Sequence, residues 1–311
     1  MKQIEIKAFA KINLSLDVCG ILDNGFHEVS MIMQQILLCD DVKVKWQENN
    51  AVSGIDISLS TNRYYLPTDE RNLAYKAALL MVEKYGHDMN GTIRIDIRKR
   101  IPVAAGLAGG SSNCAAVIHA LCQLWNLSLN LKELCEIGSE LGSDVPFCIM
   151  GQAAANETLK KYYSHDPLAC HCALATGTGT TLKPVKGLRS HLVLSKPAIS
   201  VSTAEVYRGI DNETIPERPN NEEMIAGLSN NNRKMVTKNM VNVLENFTLK
   251  RYPVIVYTKN KMQQLCGNEA VLMSGSGPTV YGLCRNISES REICRKMLED
   301  NNESFWTRTT W

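Results

Sequence analysis

From Ile101 to Leu131 the chain carries no Asp, Glu, Lys or Arg. A bilayer is not the destination of this run. It contains Pro102, Gly106, Gly109, Gly110, Ser111, Ser112, Asn113 and His119. Its apolar part, Cys114 to Trp125, is only ~12 residues, against the ~20 that a spanning helix needs. A charge-free segment rich in Gly and Ser is better explained as a loop that accepts a charge from elsewhere and then runs into a helix. It follows a predicted strand, Thr92–Arg98, in which Ile93, Ile95 and Ile97 alternate with Arg94, Asp96 and Arg98. Glycines let a backbone turn tightly and approach a ligand closely. N–H groups at a helix start face outward with the positive end of the helix dipole behind them. Pro102-Val103-Ala104-Ala105-Gly106-Leu107-Ala108-Gly109-Gly110-Ser111-Ser112 therefore reads as a phosphate cradle, with Ser111 or Ser112 as helix cap. It lacks the Gly-Lys-Ser/Thr of a Walker A loop and the spacing of the dinucleotide fingerprint. A glycine-rich turn without ligand is the competing reading.

The 311 residues suggest about two domains. With 44% hydrophobic and 21% charged residues the chain is an ordinary globular one, not a disordered or collagen-like one. Thirty-four basic against 32 acidic residues leave a net charge of +2, which points to neither nucleic acid nor an anionic membrane as partner. The 11 cysteines are odd in number and irregular in spacing, as expected of thiols in a reducing cytosol rather than a disulfide framework. Met1 to Ala10 carries Lys2, Glu5 and Lys7 and no apolar signal core, so a cytoplasmic location is expected.

Ile4, Ile6, Ala8, Ala10, Ile12, Leu14, Leu16 and Val18 are apolar at every second position, which predicts a strand with Lys11 and Asn13 on its polar face. Further strands are expected at Asp41–Trp46 and Ile55–Leu59. Helices are expected at Asn72–Tyr85, stopping at Gly86, and after an Asn130/Glu133 capping box. The pattern weakens from Gly151 to Lys186. Beyond it come a strand at His191–Leu194, helices at Asn221–Leu228 and Asn232–Asn246, and a strand-like run at Pro253–Thr258 that becomes helical up to Cys266. Strands flank a second glycine turn, Met273–Thr279, followed by a helix at Ser288–Asp300 and a strand from Ser304. Strands and helices without strict alternation indicate α+β. A boundary falls within 160–190, giving domains of 1–165 and 166–311.

Taken singly, the polar candidates are weak. A mid-strand lysine such as Lys11 is usually solvated. Asp144, after a helix stop and before Pro146, is usually a turn or cap residue. Gly25-Phe26-His27 reads as a hairpin tip, though Phe and His together can grip a flat heterocycle. Their order along the chain changes their weight. Ala8-Phe9-Ala10-Lys11-Ile12-Asn13-Leu14, Gly25-Phe26-His27, Pro102 to Asn113, Gly142-Ser143-Asp144-Val145-Pro146 and Gly275-Ser276-Gly277-Pro278-Thr279 together closely resemble the GHMP kinase superfamily. The resemblance covers nearly the whole chain, including Asn72-Leu73, Ser202 to Tyr207 and Asn242 to Glu245.

The resemblance implies a two-domain α+β fold, with an N-terminal domain like ribosomal protein S5 domain 2 and a ferredoxin-like C-terminal domain. The Ala-Lys-Ile-Asn-Leu and Gly-Phe-His motifs favour the branch of the superfamily that acts in the non-mevalonate isoprenoid pathway over its mevalonate and homoserine relatives. The implied reaction moves the γ-phosphoryl group of ATP to the 2-hydroxyl of a cytidine-diphosphate-linked methylerythritol. Asp144 would accept the hydroxyl proton and Lys11 would offset negative charge and hold the group ionised. Residues 102–112 would cradle the triphosphate and Asn72 would lie near the adenine. Asn13, Phe26, His27 and Tyr207 would form the substrate side, with His27 on the cytosine edge and the two aromatic rings stacked on its faces. Mg²⁺ is expected with ATP, its protein ligands unassigned and Ser112 a weak candidate. A homodimer is admitted, and no nucleic acid or membrane partner is expected.

Two features depart from the family pattern. Thr180 stands where a Gly-x-Gly-Glu turn would carry an acid, and residues 157–174 form an added stretch. That stretch holds His165, Cys170, His171 and Cys172, which invites a zinc site. Consecutive residues of an extended chain point in different directions, so an ordinary insert is the favoured reading. A non-catalytic ligand-binding paralogue is the alternative from another class.

Overall fold

The computed structural model describes residues 1–49, 51 and 53–311. The chain forms two compact units, each assembled from three segments. The first comprises Met1–Ala10, Leu38–Ile101 and Ala108–Cys170; the second comprises Lys11–Leu37, Pro102–Leu107 and His171–Trp311. Two long strands, β1 (Lys2–Ile21) and β2 (His27–Glu48), contribute residues to both.

In the first unit the C-terminal half of β2 pairs antiparallel with β4 (Gly91–Arg98), from Asp41 opposite Arg98 to Glu48 opposite Gly91. The strand β3 (Ile55–Thr61) pairs parallel with β4. Helices α1 (Leu73–Tyr85), α2 (Gly109–Leu124), α3 (Leu131–Ser139), α4 (Val145–Ala155) and α5 (Glu157–Tyr163) complete it. The charge-free run is α2 and its approach. Every residue from Cys114 to Cys122 is 0% exposed, so the helix is apolar all round because it is core all round.

In the second unit β5 (Cys172–Thr176) pairs antiparallel with Met31–Gln34 of β2 and with β6 (Thr181–Pro184). A separate antiparallel sheet is built from β7 (His191–Lys196), β8 (Val271–Met273), β9 (Val280–Cys284) and β10 (Glu303–Arg308), in the order β10-β7-β9-β8. The remaining helices are α6 (Thr203–Ile210), α7 (Asn221–Ser229), α8 (Arg233–Lys238), α9 (Glu245–Arg251), α10 (Pro253–Cys266) and α11 (Ile287–Met297). The last two pack on the sheet.

Four local expectations are corrected. The polar face of β1 is not solvated: Lys11 is 5% exposed, and Asn13 and Ser15 are 0% exposed. The expected strand at Asp41–Trp46 is part of a much longer one, because residues 31–36 are buried on both faces and show no period-two signal. The strand-like run Pro253–Thr258 is the first half of α10, with Pro253 at the helix start, where its missing N–H costs nothing. The expected helix Asn232–Asn246 breaks after Lys238 because residues 241–243 pair with β1. Leu16 N–H donates to Val241 O, and Val243 N–H donates to Leu16 O.

Candidate active site

In the second unit, Lys11 and the glycine loop meet through the backbone. Lys11 N–H donates to Leu107 O at 3.1 Å. The Lys11 ammonium donates to Asn13 Oδ1 at 2.8 Å, and Asn13 Nδ2 faces Met31 Sδ at 3.2 Å. Asn13 is further pinned by the Tyr281 hydroxyl, which donates to its carbonyl at 2.8 Å. The ammonium is thus aimed along the strand by a neighbour two residues on.

The loop alternates inward and outward. Pro102, Ala105 and Leu107 are buried, whereas Val103, Gly106 and Ala108–Ser111 are at least partly accessible and Ala104 is exposed. Positive φ angles recur at Ala104 (51°), Gly106 (71°) and Ala108 (55°). Successive turns of this kind expose backbone N–H groups on one side, the concavity that anions occupy. Only glycine fits at 106, where a Cβ would lie 2.2 Å from Ser274 O. The Met273–Thr279 turn is a partner of this loop and more than an interstrand connection. Ser274 Oγ donates to Gly106 O at 2.9 Å, and Asn242 Nδ2 holds Met273 O and Gly275 O at 2.9 and 2.8 Å.

The substrate-side candidates lie in the same unit. Phe26 is 64% exposed at the turn before β2. His27 and Tyr207 have ring centroids 5.1 Å apart. Thr180 closes the β5–β6 turn, with its hydroxyl 3.2 Å from that of Thr178.

In the first unit, Ala108 in left-handed conformation begins α2, so Ser111 and Ser112 lie inside its first turn and cap nothing. The Ser112 hydroxyl is spent on structure. It donates to Phe9 O at 2.7 Å and accepts from Gln152 Nε2 at 3.1 Å. Asn72 is the cap of α1: its Oδ1 accepts from Ala74 N–H and its Nδ2 donates to Pro67 O. Asp144 is half-buried and opens α4, with Pro146 in the helix's first turn. Sequence patterning missed this helix because it is too buried to be amphipathic.

Sequence reading also missed a buried network at the root of the loop. Asp40 is 0% exposed. Its Oδ1 accepts from Arg100 N–H at 2.6 Å and Ile101 N–H at 2.8 Å. Its Oδ2 accepts from Lys99 Nζ at 2.5 Å and Asn113 Nδ2 at 2.9 Å. Lys99 Nζ also donates to Asn113 Oδ1 at 2.9 Å. One carboxylate thereby ties the end of β4 to the first turn of α2. No spacing rule joins residues 40, 99 and 113.

Known proteins resemble the chain over nearly its whole length. The model for the GHMP kinases N terminal domain matches residues 72–152, and that for the GHMP kinases C terminal matches residues 221–303. A 4-diphosphocytidyl-2-C-methyl-D-erythritol kinase of Alkaliphilus metalliredigens is 44% identical, covering 94% of this chain and 91% of its own.

The chain belongs to the GHMP kinases.

It is an ATP-dependent kinase of α+β fold with the family's N- and C-terminal domains. A Clostridium botulinum protein of the same name is 41% identical over 98% of this GHMP kinase and all of itself. A crystal structure of a 4-(cytidine 5'-diphospho)-2C-methyl-D-erythritol kinase superposes with TM-score 0.76 at 27% identity, covering 99% of this chain and 100% of that one. Homoserine kinase of Cytophaga hutchinsonii shares the fold, with TM-score 0.70 at 19% identity.

Among the described residues no three His, Cys, Asp or Glu side chains gather as a metal site. The added stretch forms α5, the turn after it and the first residues of β5. Tyr163 there is buried, its hydroxyl 3.4 Å from Gln123 Nε2. No helix among the described residues is long and apolar enough to cross a membrane.

Proposed function

We propose that this kinase transfers the γ-phosphoryl group of ATP to the 2-hydroxyl of 4-diphosphocytidyl-2-C-methyl-D-erythritol, a step toward isoprenoid precursors, in the cytoplasm. One observation carries the reading: relatives of that name are more than 40% identical across nearly the entire chain.

Phosphoryl transfer asks a protein mainly for positioning and charge stabilisation. The 102–112 loop takes the triphosphate, its recurring positive φ angles supporting an amide nest for the phosphate oxygens. Asn72 lies at the adenine, and its amide orders the backbone there as a helix cap. Asp144 accepts the hydroxyl proton. Lys11 keeps the acceptor region positive, and its hydrogen bond to Asn13 supports a fixed direction for the ammonium. Asn13, Phe26, His27 and Tyr207 take the cytidyl end. The described residues do not make a cage for Mg²⁺, and the Ser112 hydroxyl is already engaged at both donor and acceptor. Mg²⁺ would enter with the nucleotide and would supply charge neutralisation at its phosphates.

The test is ADP release from ATP and Mg²⁺ with the cytidyl substrate, with mevalonate and homoserine as comparison alcohols. Turnover with the cytidyl substrate is expected. Turnover with mevalonate or homoserine alone would replace this reading by another GHMP activity. Tight binding without ADP release would make the protein a non-catalytic paralogue.

A further inference from the structure

His27 opens β2, and one helix of its own unit presents two groups to its ring. Nε2 lies 2.8 Å from Asp211 Oδ1, and the Tyr207 ring is tilted by 49° against the imidazole at 5.1 Å. Tyr207 is in α6 and Asp211 ends it, four residues later, so both side chains share one helix face. The His27 side chain is 12% exposed and that of Asp211 35%, so the imidazole is largely withdrawn from water and the carboxylate stays open to it.

We infer that Asp211 is a positioning residue that sets the tautomer of His27 and thereby tunes the site to a base bearing an exocyclic amine. The inference rests on the reading above that places His27 at the base edge. An ionised carboxylate only accepts hydrogen bonds, so the proton of a neutral imidazole sits on Nε2. Nδ1 is then left with a lone pair. Cytosine offers a donating amine at the position where uracil offers an accepting carbonyl. An Nδ1 acceptor pairs with the first and sets lone pair against lone pair with the second. Discrimination of this kind comes from the repulsive contact as much as from the attractive one. It is also lost if the ring can invert its tautomer, which the carboxylate prevents.

Calorimetry with CDP and with UDP tests this on wild type, Asp211→Ala and Asp211→Asn. Nitrogen NMR shifts of His27 report the tautomer directly. Wild type is expected to hold its proton on Nε2 and to prefer CDP by on the order of 10- to 100-fold, the range for one hydrogen bond made or denied. Asp211→Ala is expected to lose most of that preference and the fixed tautomer. Asp211→Asn, whose amide can be turned either way, should fall between. Equal binding of CDP and UDP by wild type, a proton on Nδ1, or an unchanged CDP:UDP ratio in Asp211→Ala would overturn the inference. Equal weakening of both nucleotides would do so too, since that is a merely structural effect. Failure of wild type to turn over the cytidyl substrate sinks the proposed reaction instead and leaves the CDP:UDP ratio as a separate measure.

Discussion

The ammonium of Lys11 donates a hydrogen bond to Asn13 Oδ1, 2.8 Å away, on a strand face that water does not reach. The two residues are neighbours on one side of β1, and the contact restricts a long side chain that would otherwise sample many rotamers. Lys11→Met keeps the length and removes the charge. It is expected to fold and to lower kcat by on the order of 100-fold, as loss of a charge that stabilises the transition state does. Steady-state kinetics beside a circular dichroism spectrum check it. Asn13→Ala should retain more activity than Lys11→Met, since it removes one hydrogen bond of the ammonium and keeps the charge.

Asp144 begins α4, and Asp144→Asn keeps the size and shape of its side chain. Asp144→Asn should leave the melting temperature near that of wild type and reduce kcat by ~100-fold or more, the scale of general-base loss. Full activity in this variant would remove Asp144 from the mechanism.

Gly106 adopts φ 71° with its missing Cβ directed at Ser274 O. Gly106→Ala must push the two glycine turns apart in addition to the ~1 kcal/mol cost of a left-handed alanine. The expectation is a KM for ATP raised by on the order of 10-fold with a smaller change in kcat. A wild-type KM would mean that the turn at Gly106 plays no part in holding the nucleotide.

Asp40 neutralises Lys99 and satisfies two backbone N–H groups at the root of the loop. Asp40→Ala leaves a buried ammonium without its counter-ion, which is expected to cost roughly 3–5 kcal/mol in urea unfolding. A loss under about 1 kcal/mol would show that water or a neighbour replaces the carboxylate there.

His119 is fully buried in α2. One ring nitrogen bonds Ile149 O at 3.0 Å, and Nδ1 has no hydrogen-bond partner among the described residues. Burial pushes its pKa down from 6.5 to about 4. The unfolded chain therefore binds more protons between those two values, and stability falls as pH drops through them. The loss reaches about 3 kcal/mol at the lower end. Chemical denaturation of wild type from pH 7 to 4 should show this slope, and His119→Leu should flatten it.

Several features of this protein were legible from residue order alone. The period-two run of β1, the Asn72–Tyr85 helix with its stop at Gly86, the Asn130/Glu133 capping box and the glycine loop are all local. Each depends on a few consecutive residues and on rules that do not need the rest of the chain. The family was legible because five short motifs recur in one order. What lay beyond reach is non-local. The buried face around Lys11, the break after Lys238 forced by pairing with β1, and the Asp40–Lys99–Asn113 network each join residues far apart in the chain. So does the carboxylate of Asp211 on His27. Burial and partnership of a charge are properties of the packed molecule, since water competes for that charge until the fold excludes it.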